Sequence, residues 1–230
     1  MDFIRKIGHN EIVEITTRIL KTWNDVKSRL CGDFRALNNY TNTDRYPIPG
    51  IPHALDKMAK SKYITKMDCM NGFQQNGVKP NSMKLLKIIC HMGIYEYTMM
   101  PFGIKNAPAH FQRMMDTMFQ EEIFKGWMVV YIDDIIIDSE TWEDHVQYIE
   151  RVLRKFTPIN PKISLKKCYF GQQELLALGH KVSGLSLAID KNEVEEVLQK
   201  PVTKSIKDMH SFLGFPSYYR NHIKNFCPHN

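Results

Sequence analysis

Residues 127–137 read Trp-Met-Val-Val-Tyr-Ile-Asp-Asp-Ile-Ile-Ile, two adjacent acids inside an otherwise apolar run. No other feature constrains the fold as tightly. An ionised carboxylate taken out of water costs several kcal/mol unless it is paired or bound to a cation. Two neighbouring carboxylates also repel. The run therefore resolves into two apolar strands meeting at Asp133-Asp134, with both acids at a hairpin tip. A turn that uses Asp-Asp only because aspartate tolerates turn geometry fits the same pattern. A third acid weighs against that plainer reading. Tyr63-Ile64-Thr65-Lys66-Met67-Asp68 reads as a strand ending in an acid, with Asn71-Gly72 behind it as a turn signal. Strand-end acids from two segments can converge over one face of a sheet. Three carboxylates there suit magnesium, a hard cation that takes oxygen ligands and keeps several waters. Two such ions roughly 3.5–4 Å apart clamp an in-line phosphoryl displacement, and no serine, histidine or cysteine nucleophile is needed.

Around these acids the pattern alternates between strand and helix. Residues 12–20 are β-branched and partly alternating, so they read as a strand. Trp23-Asn24-Asp25-Val26 reads as a turn and residues 29–34 as the returning strand. Residues 46–52 carry three prolines and form an extended connector, followed by a short helix over 53–60. Pro108 opens a helix with Phe111, Met114, Met115, Met118 and Phe119 on one face, a core stripe. Thr141-x-x-Asp144 is a capping box. The helix behind it is expected to turn Val146, Ile149, Val152, Leu153 and Phe156 inward. Short strands are expected at 168–170 and 177–182. A helix capped by Asp190 should bury Val194, Val197 and Leu198. A last helix after Ser205-x-x-Asp208 should bury Ile206, Met209, Phe212 and Leu213. Helices mixed with hairpins, without strict βαβ alternation, make this an α+β chain.

Composition narrows the class further. The 230 residues are 43% hydrophobic and 24% charged, enough for a real core. The net charge of +6 fits a polyanionic partner such as nucleic acid. No apolar run approaches the roughly 18 residues of a membrane helix, and the N-terminus has no apolar signal region. The five cysteines include no C-x-x-C pair, so they read as reduced thiols of an intracellular protein, in cytoplasm or nucleus. The nine histidines show no metal-ligand spacing.

Seven ordered blocks give the chain a family resemblance: RLCGDFRALN (29–38), RYPIP (45–49), YITKMDCMNGF (63–73), YEYTMMPFGIKNAPAHFQRMMD (95–116), VVYIDDIII (129–137), KKCYFGQQELLALGHKVS (166–183) and SFLGFPSYYRNHIKNF (211–226). Their order and spacing resemble the reverse transcriptase of gypsy-class long-terminal-repeat retrotransposons. The resemblance implies a right-hand polymerase: partial fingers and connector over 1–62, a palm over 63–183 and a thumb-like helical segment over 184–230. It implies an RNA-directed DNA polymerase that adds deoxynucleotides to a primer 3′ end, on an RNA or DNA template. It also implies that Asp68, Asp133 and Asp134 are the catalytic acids and hold two Mg2+ ions, with Mn2+ as a substitute.

Further roles follow from the resemblance alone. Tyr131 leads the Y-x-D-D hairpin. Phe73 lies beneath the incoming sugar, where a ring collides with a ribose 2′-hydroxyl. Arg29 faces the dNTP triphosphate with forked donors, against the alternative of a solvated strand arginine. Phe102 and Gly103 border the nucleotide pocket. Leu178, Gly179 and His180 steady the primer end, the glycine leaving room for a nucleic-acid backbone. Lys204 and Lys207 either meet template–primer phosphates or simply form a solvated face.

Three positions depart from the family pattern. Val26 stands where a turn glycine is usual, which leaves the phosphate-facing lysine missing or moved to Lys21 or Lys27. Asp138 replaces an apolar residue, and Pro216 falls inside a helical block. The chain also reads as a fragment, lacking the protease, ribonuclease H and integrase that flank this domain in Pol polyproteins. The alternative to an active polymerase is therefore an inactive relic that still binds nucleic acid, or a merely structural remnant.

Overall fold

The computed structural model describes residues 4–7, 17–20, 29–90, 93–157, 162–183, 186–199 and 205–223. The first elements are β1 (Ile4–Ile7), β2 (Thr17–Leu20), β3 (Arg29–Gly32), α1 (Arg35–Tyr40), α2 (Ile51–Met58) and β4 (Tyr63–Asp68). Next come α3 (Pro80–Met83), β5 (Lys87–Cys90), β6 (Gly93–Tyr97), α4 (Ala107–Met118), α5 (Gln120–Phe124), β7 (Met128–Tyr131) and β8 (Asp134–Ser139). The chain then forms α6 (Trp142–Phe156), β9 (Tyr169–Gln172), β10 (Glu174–Ala177), β11 (His180–Ser183), β12 (Ser186–Ile189), α7 (Lys191–Leu198) and α8 (Ile206–Tyr218). No helix among the described residues is long and apolar enough to cross a membrane.

The chain divides into two compact units. One comprises Met1–Pro49, Lys66–Ile137 and Val146–Cys168. The other comprises Gly50–Thr65, Asp138–His145 and Tyr169–Asn230, so β4 and β8 run through both. Those two strands belong to a four-stranded sheet ordered β7-β8-β4-β9.

In the first unit the apolar residues of the β7–β8 hairpin pack on α4 and α6. Met67, Phe111, Met115, Phe119, Met128, Val130, Ile135, Ile137, Val152 and Phe156 form one buried cluster. Each such side chain contributes about 2 kcal/mol by leaving water. Trp127 stacks flat on Tyr148 at 4.1 Å. A sheet ordered β1-β6-β5 carries a second cluster of Phe34, Leu86, Ile88 and Tyr97. The second unit holds the antiparallel sheet β10-β11-β12. Ala54, Leu55 and Met58 of α2 are buried, as are Leu175, Ala177 and Val182 of the sheet.

Several expected faces turn out differently. The capping box forms, with the Asp144 amide donating to Thr141 Oγ1 at 3.2 Å. Yet Val146 and Leu153 of α6 are exposed, while His145, Val152 and Phe156 are buried. Ile149 packs against the core as expected, and His145 joins the same face because polar partners wait inside: Thr65 Oγ1 at 2.7 Å and Ser139 Oγ at 2.8 Å. Val194 and Leu198 of α7 are exposed, as are Ile206, Met209 and Leu213 of α8. These side chains stay largely open to solvent, while Phe212 of the expected α8 stripe is half-buried. Asp138 is buried and accepts from Ser61 Oγ at 2.9 Å, which offsets part of the expected cost of a buried acid. α8 runs through Pro216 to Tyr218. A proline two residues before the end interrupts little of the ladder beyond it. Helix α1 has no counterpart in the reading of the sequence. The expected turn at 23–26, Lys21, Lys27 and the strand over 12–16 lie outside the described residues, as do Lys204 and the side chains of Arg29, Val197 and Lys207.

Candidate active site

The site is built where β4 ends beside the tip of the β7–β8 hairpin. The Cys69 amide donates to the Asp133 carbonyl at 3.0 Å, and the Ser164 amide donates to the Asp68 carbonyl at 2.9 Å. The first bond brings the end of β4 to the hairpin although 64 residues lie between Asp68 and Asp133 in sequence, and the second ties it to the segment before β9. Tyr131 and Asp134 form the last cross-strand pair, leaving Ile132 and Asp133 as the turn. Ile132 takes φ 51°. A β-branched residue in the left-handed region is strained by about 1–3 kcal/mol.

Gly72 is required here by proximity. A Cβ added to it would lie 2.2 Å from Asp133 Oδ1 and 2.8 Å from Phe111 Cζ. The left-handed turn residue is instead Asn71, at φ 51°. Sequence reading takes Asn71-Gly72 as a turn, and the structure adds that the glycine makes room for a carboxylate.

Asp133 Oδ1 is buried and, among the described residues, has no hydrogen-bond partner. Burial, followed by the charges of Asp68 and Asp134, pushes the Asp133 carboxyl up to about 6, while Lys167 works the other way. The two outer acids have cationic partners: Lys167 Nζ lies 3.1 Å from Asp68, and Lys66 Nζ lies 3.0 Å from Asp134. Among the described residues no three acid, histidine or cysteine side chains are arranged to grip a single ion. Asp68 and Asp134 are drawn onto their lysines. The donor set nonetheless fits a divalent cation: hard oxygens, one of them orphaned and surrounded by like charge. The adjacent Cys69 thiol is pushed up to about 12, first by burial and then by these same acids, so it stays protonated.

Phe73 packs edge-on against Phe102 at 5.9 Å and Phe111 at 5.8 Å, which brings the MPFG loop to the acid site. Gly103 takes φ 91°, and its carbonyl accepts from Asn38 Nδ2 at 2.7 Å. Asn38 Oδ1 also accepts from the Lys105 amide at 2.9 Å, so α1 clasps this loop. Leu178, Gly179 and His180 belong to the second unit, at the β10–β11 turn. Leu178 and Gly179 take φ 50° and 72°. The close approach over Gly179 is made by the Tyr219 hydroxyl, 2.7 Å from where a Cβ would sit. The buried His180 ring lies 5.1 Å from Tyr219 and 5.3 Å from His222.

Sequence reading missed Lys66, Lys167 and Asn38 as parts of the site. Lys66 had a signal, since it lies two residues before Asp68 and so on the same strand face. Lys167 pairs with an acid 99 residues away, and no local pattern announces that.

The fold is shared with known polymerases. The protease–reverse transcriptase of a foamy virus, solved with double-stranded DNA, superposes with a TM-score of 0.85 over 97% of this chain and 38% of that one, at 21% identity. The same viral protein with an RNA/DNA hybrid superposes with a TM-score of 0.77 at 20% identity. The α+β architecture is thus that of a polymerase palm. The sequence matches the reverse transcriptase (RNA-dependent DNA polymerase) family over residues 20–182, and the chain belongs to that family. It is 34% identical over 219 residues to the retrovirus-related Pol polyprotein of transposon opus from Drosophila melanogaster, covering 95% of this chain and 22% of the relative. It is 37% identical over 199 residues to the Pol polyprotein of transposon gypsy from the same organism, covering 86% and 19%. The Tf2-3 polyprotein of Schizosaccharomyces pombe is 33% identical, over 85% of this chain and 15% of the relative. The chain therefore spans between 15% and 22% of the length of these polyproteins.

Proposed function

We propose that this chain is the RNA-directed DNA polymerase domain of a retrotransposon Pol polyprotein, extending a primer 3′ end by two-metal phosphoryl transfer. The observation that carries the reading is the orphaned Oδ1 of Asp133, buried beside two further acids at a strand end. A buried carboxylate oxygen with no donor and like charges around it is stabilised by a cation. Asp68, Asp133 and Asp134 would hold two Mg2+, or Mn2+, once Lys167 and Lys66 let go of the outer pair. When bound, such ions supply Lewis-acid polarisation of the attacking hydroxyl and of the phosphate oxygens.

The remaining roles belong to this chain's own side chains. Phe73, fixed by Phe102 and Phe111, excludes a 2′-hydroxyl and so selects deoxynucleotides. Phe102, Gly103 and Tyr131 border the nucleotide. Arg29 takes the triphosphate. The Leu178–His180 turn holds the primer end, and Lys204 and Lys207 meet phosphates of the duplex without regard to sequence. In this reading residues 1–62 are partial fingers and connector, 63–183 the palm and 184–230 the thumb. The foamy-virus neighbours were solved with double-stranded DNA and with an RNA/DNA hybrid, which supports a template–primer duplex as the partner here. Protease, ribonuclease H and integrase domains are the expected neighbours in the full-length polyprotein.

Primer extension on an RNA template with dNTPs and Mg2+ tests the proposal. Extension is expected from the unaltered chain and none from Asp133→Asn. Equal extension by both would refute the assigned acids.

A further inference from the structure

Gln112 lies on α4 in the middle of the apolar stripe, wholly buried between Phe111 and Met115. A buried amide in a core is expensive unless all its groups are bonded. Here all of them are. Its Nε2 donates to the Val130 carbonyl and to Asp116 Oδ1, both at 2.9 Å. Its Oε1 accepts from the Ile132 amide at 2.8 Å. The side chain thus grips the backbone on both sides of Tyr131, as a neighbouring strand would.

The residue it grips is the strained one. Ile132 sits at φ 51°, one position before Asp133. Such a conformation persists only where surroundings over-determine it. The brace extends outward, since Asp116 Oδ2 accepts from the Tyr46 hydroxyl at 2.9 Å. Arg113 lies over the Tyr46 ring at 4.7 Å and holds both oxygens of Asp44 at 2.8 Å. The RYPIP connector is thereby tied to the hairpin through α4.

We infer that Gln112 is a positioning residue for the polymerase reaction: its amide holds the hairpin backbone so that Asp133 is presented beside Asp68 and Asp134. The inference rests on the function proposed above. Only glutamine meets the geometry. Glutamate offers no donor to Val130 and sets a like charge against Asp116. Methionine keeps the volume and makes none of the bonds.

The test compares the unaltered chain with Gln112→Met and Gln112→Glu. Amide hydrogen exchange is followed over 128–139 and, as a control, over α6. In Gln112→Met the Ile132 amide should exchange roughly tenfold faster while α6 keeps its protection. In primer extension kcat should fall roughly a hundredfold, because a small misplacement of a reacting group costs that much. KM for dNTP should stay within about twofold. Gln112→Glu should be worse than Gln112→Met on both readouts. Unchanged exchange at Ile132, equal deprotection of α6, or a loss carried by KM would each overturn the inference. If the unaltered chain extends no primer, the polymerase reading fails instead, and the exchange at Ile132 still decides whether Gln112 holds the hairpin.

Discussion

Asp133 carries two costs in the cation-free protein: a buried oxygen without a donor among the described residues, and two acidic neighbours. Its carboxyl is raised from the ordinary carboxylate range to about 6, with burial the largest cause. A raised acid binds protons more tightly in the folded state than in the unfolded chain, so stability falls as pH rises from about 4 to about 6. Above that window the full penalty remains. Without divalent ions, Asp133→Asn should therefore melt higher than the unaltered chain at pH 8, with the gain gone near pH 4. A pH series of thermal melts checks this, and a gain that grows toward acid would contradict it. The three acids were legible in the sequence because apolar strands do not carry carboxylates without reason. Their lysine partners were not, since Lys167 reaches Asp68 only through the tertiary fold. Nor was the need for Gly72, which depends on where the Asp133 side chain lies.

Among the elements, α6 teaches most about what a pattern conveys. Its start was readable from Thr141-x-x-Asp144, because a cap is a local hydrogen bond. Its buried face was readable in part: Val152 and Phe156 are buried and Ile149 packs against the core, as the spacing suggests. Counting apolar residues favours Val146 and Leu153, yet the helix turns His145 inside and leaves those two out. The Ser139 hydroxyl donates to the Thr141 carbonyl at 3.0 Å, so it is free to accept from His145 Nδ1 at 2.8 Å. Thr65 accepts from the Gly171 amide at 2.9 Å and donates its own proton to His145 Nε2. A satisfied imidazole can outcompete a valine for an interior position. Burial lowers the His145 pKa, which keeps the ring neutral. Val152→Ala should accordingly cost about 1–3 kcal/mol, and Val146→Ala within about 0.5 kcal/mol. Chemical denaturation of the two variants decides which face is inside. Equal losses would contradict the observed burial. The strand over 63–68 and the 107–118 helix needed no such correction, since their alternation and proline start are local signals. Helix α1 escaped notice because its six residues include no buried one and no capping side chain.

Across the whole molecule, the family was legible because its blocks are strung in one order along nearly the entire chain. The division into two compact units was not, because β4 and β8 each run through both and no linker marks a boundary. Both units hold groups that the polymerase reading uses: the acids in the first, the Leu178–His180 turn in the second. The reading depends most on the acids acting together on metal ions. Mn2+ titration followed by paramagnetic resonance measures this directly, with or without nucleic acid present. The unaltered chain should take up about two ions in the presence of dNTP and template–primer, and Asp133→Asn should lose them. Uptake that is absent from the unaltered chain, or undiminished in Asp133→Asn, would contradict the account.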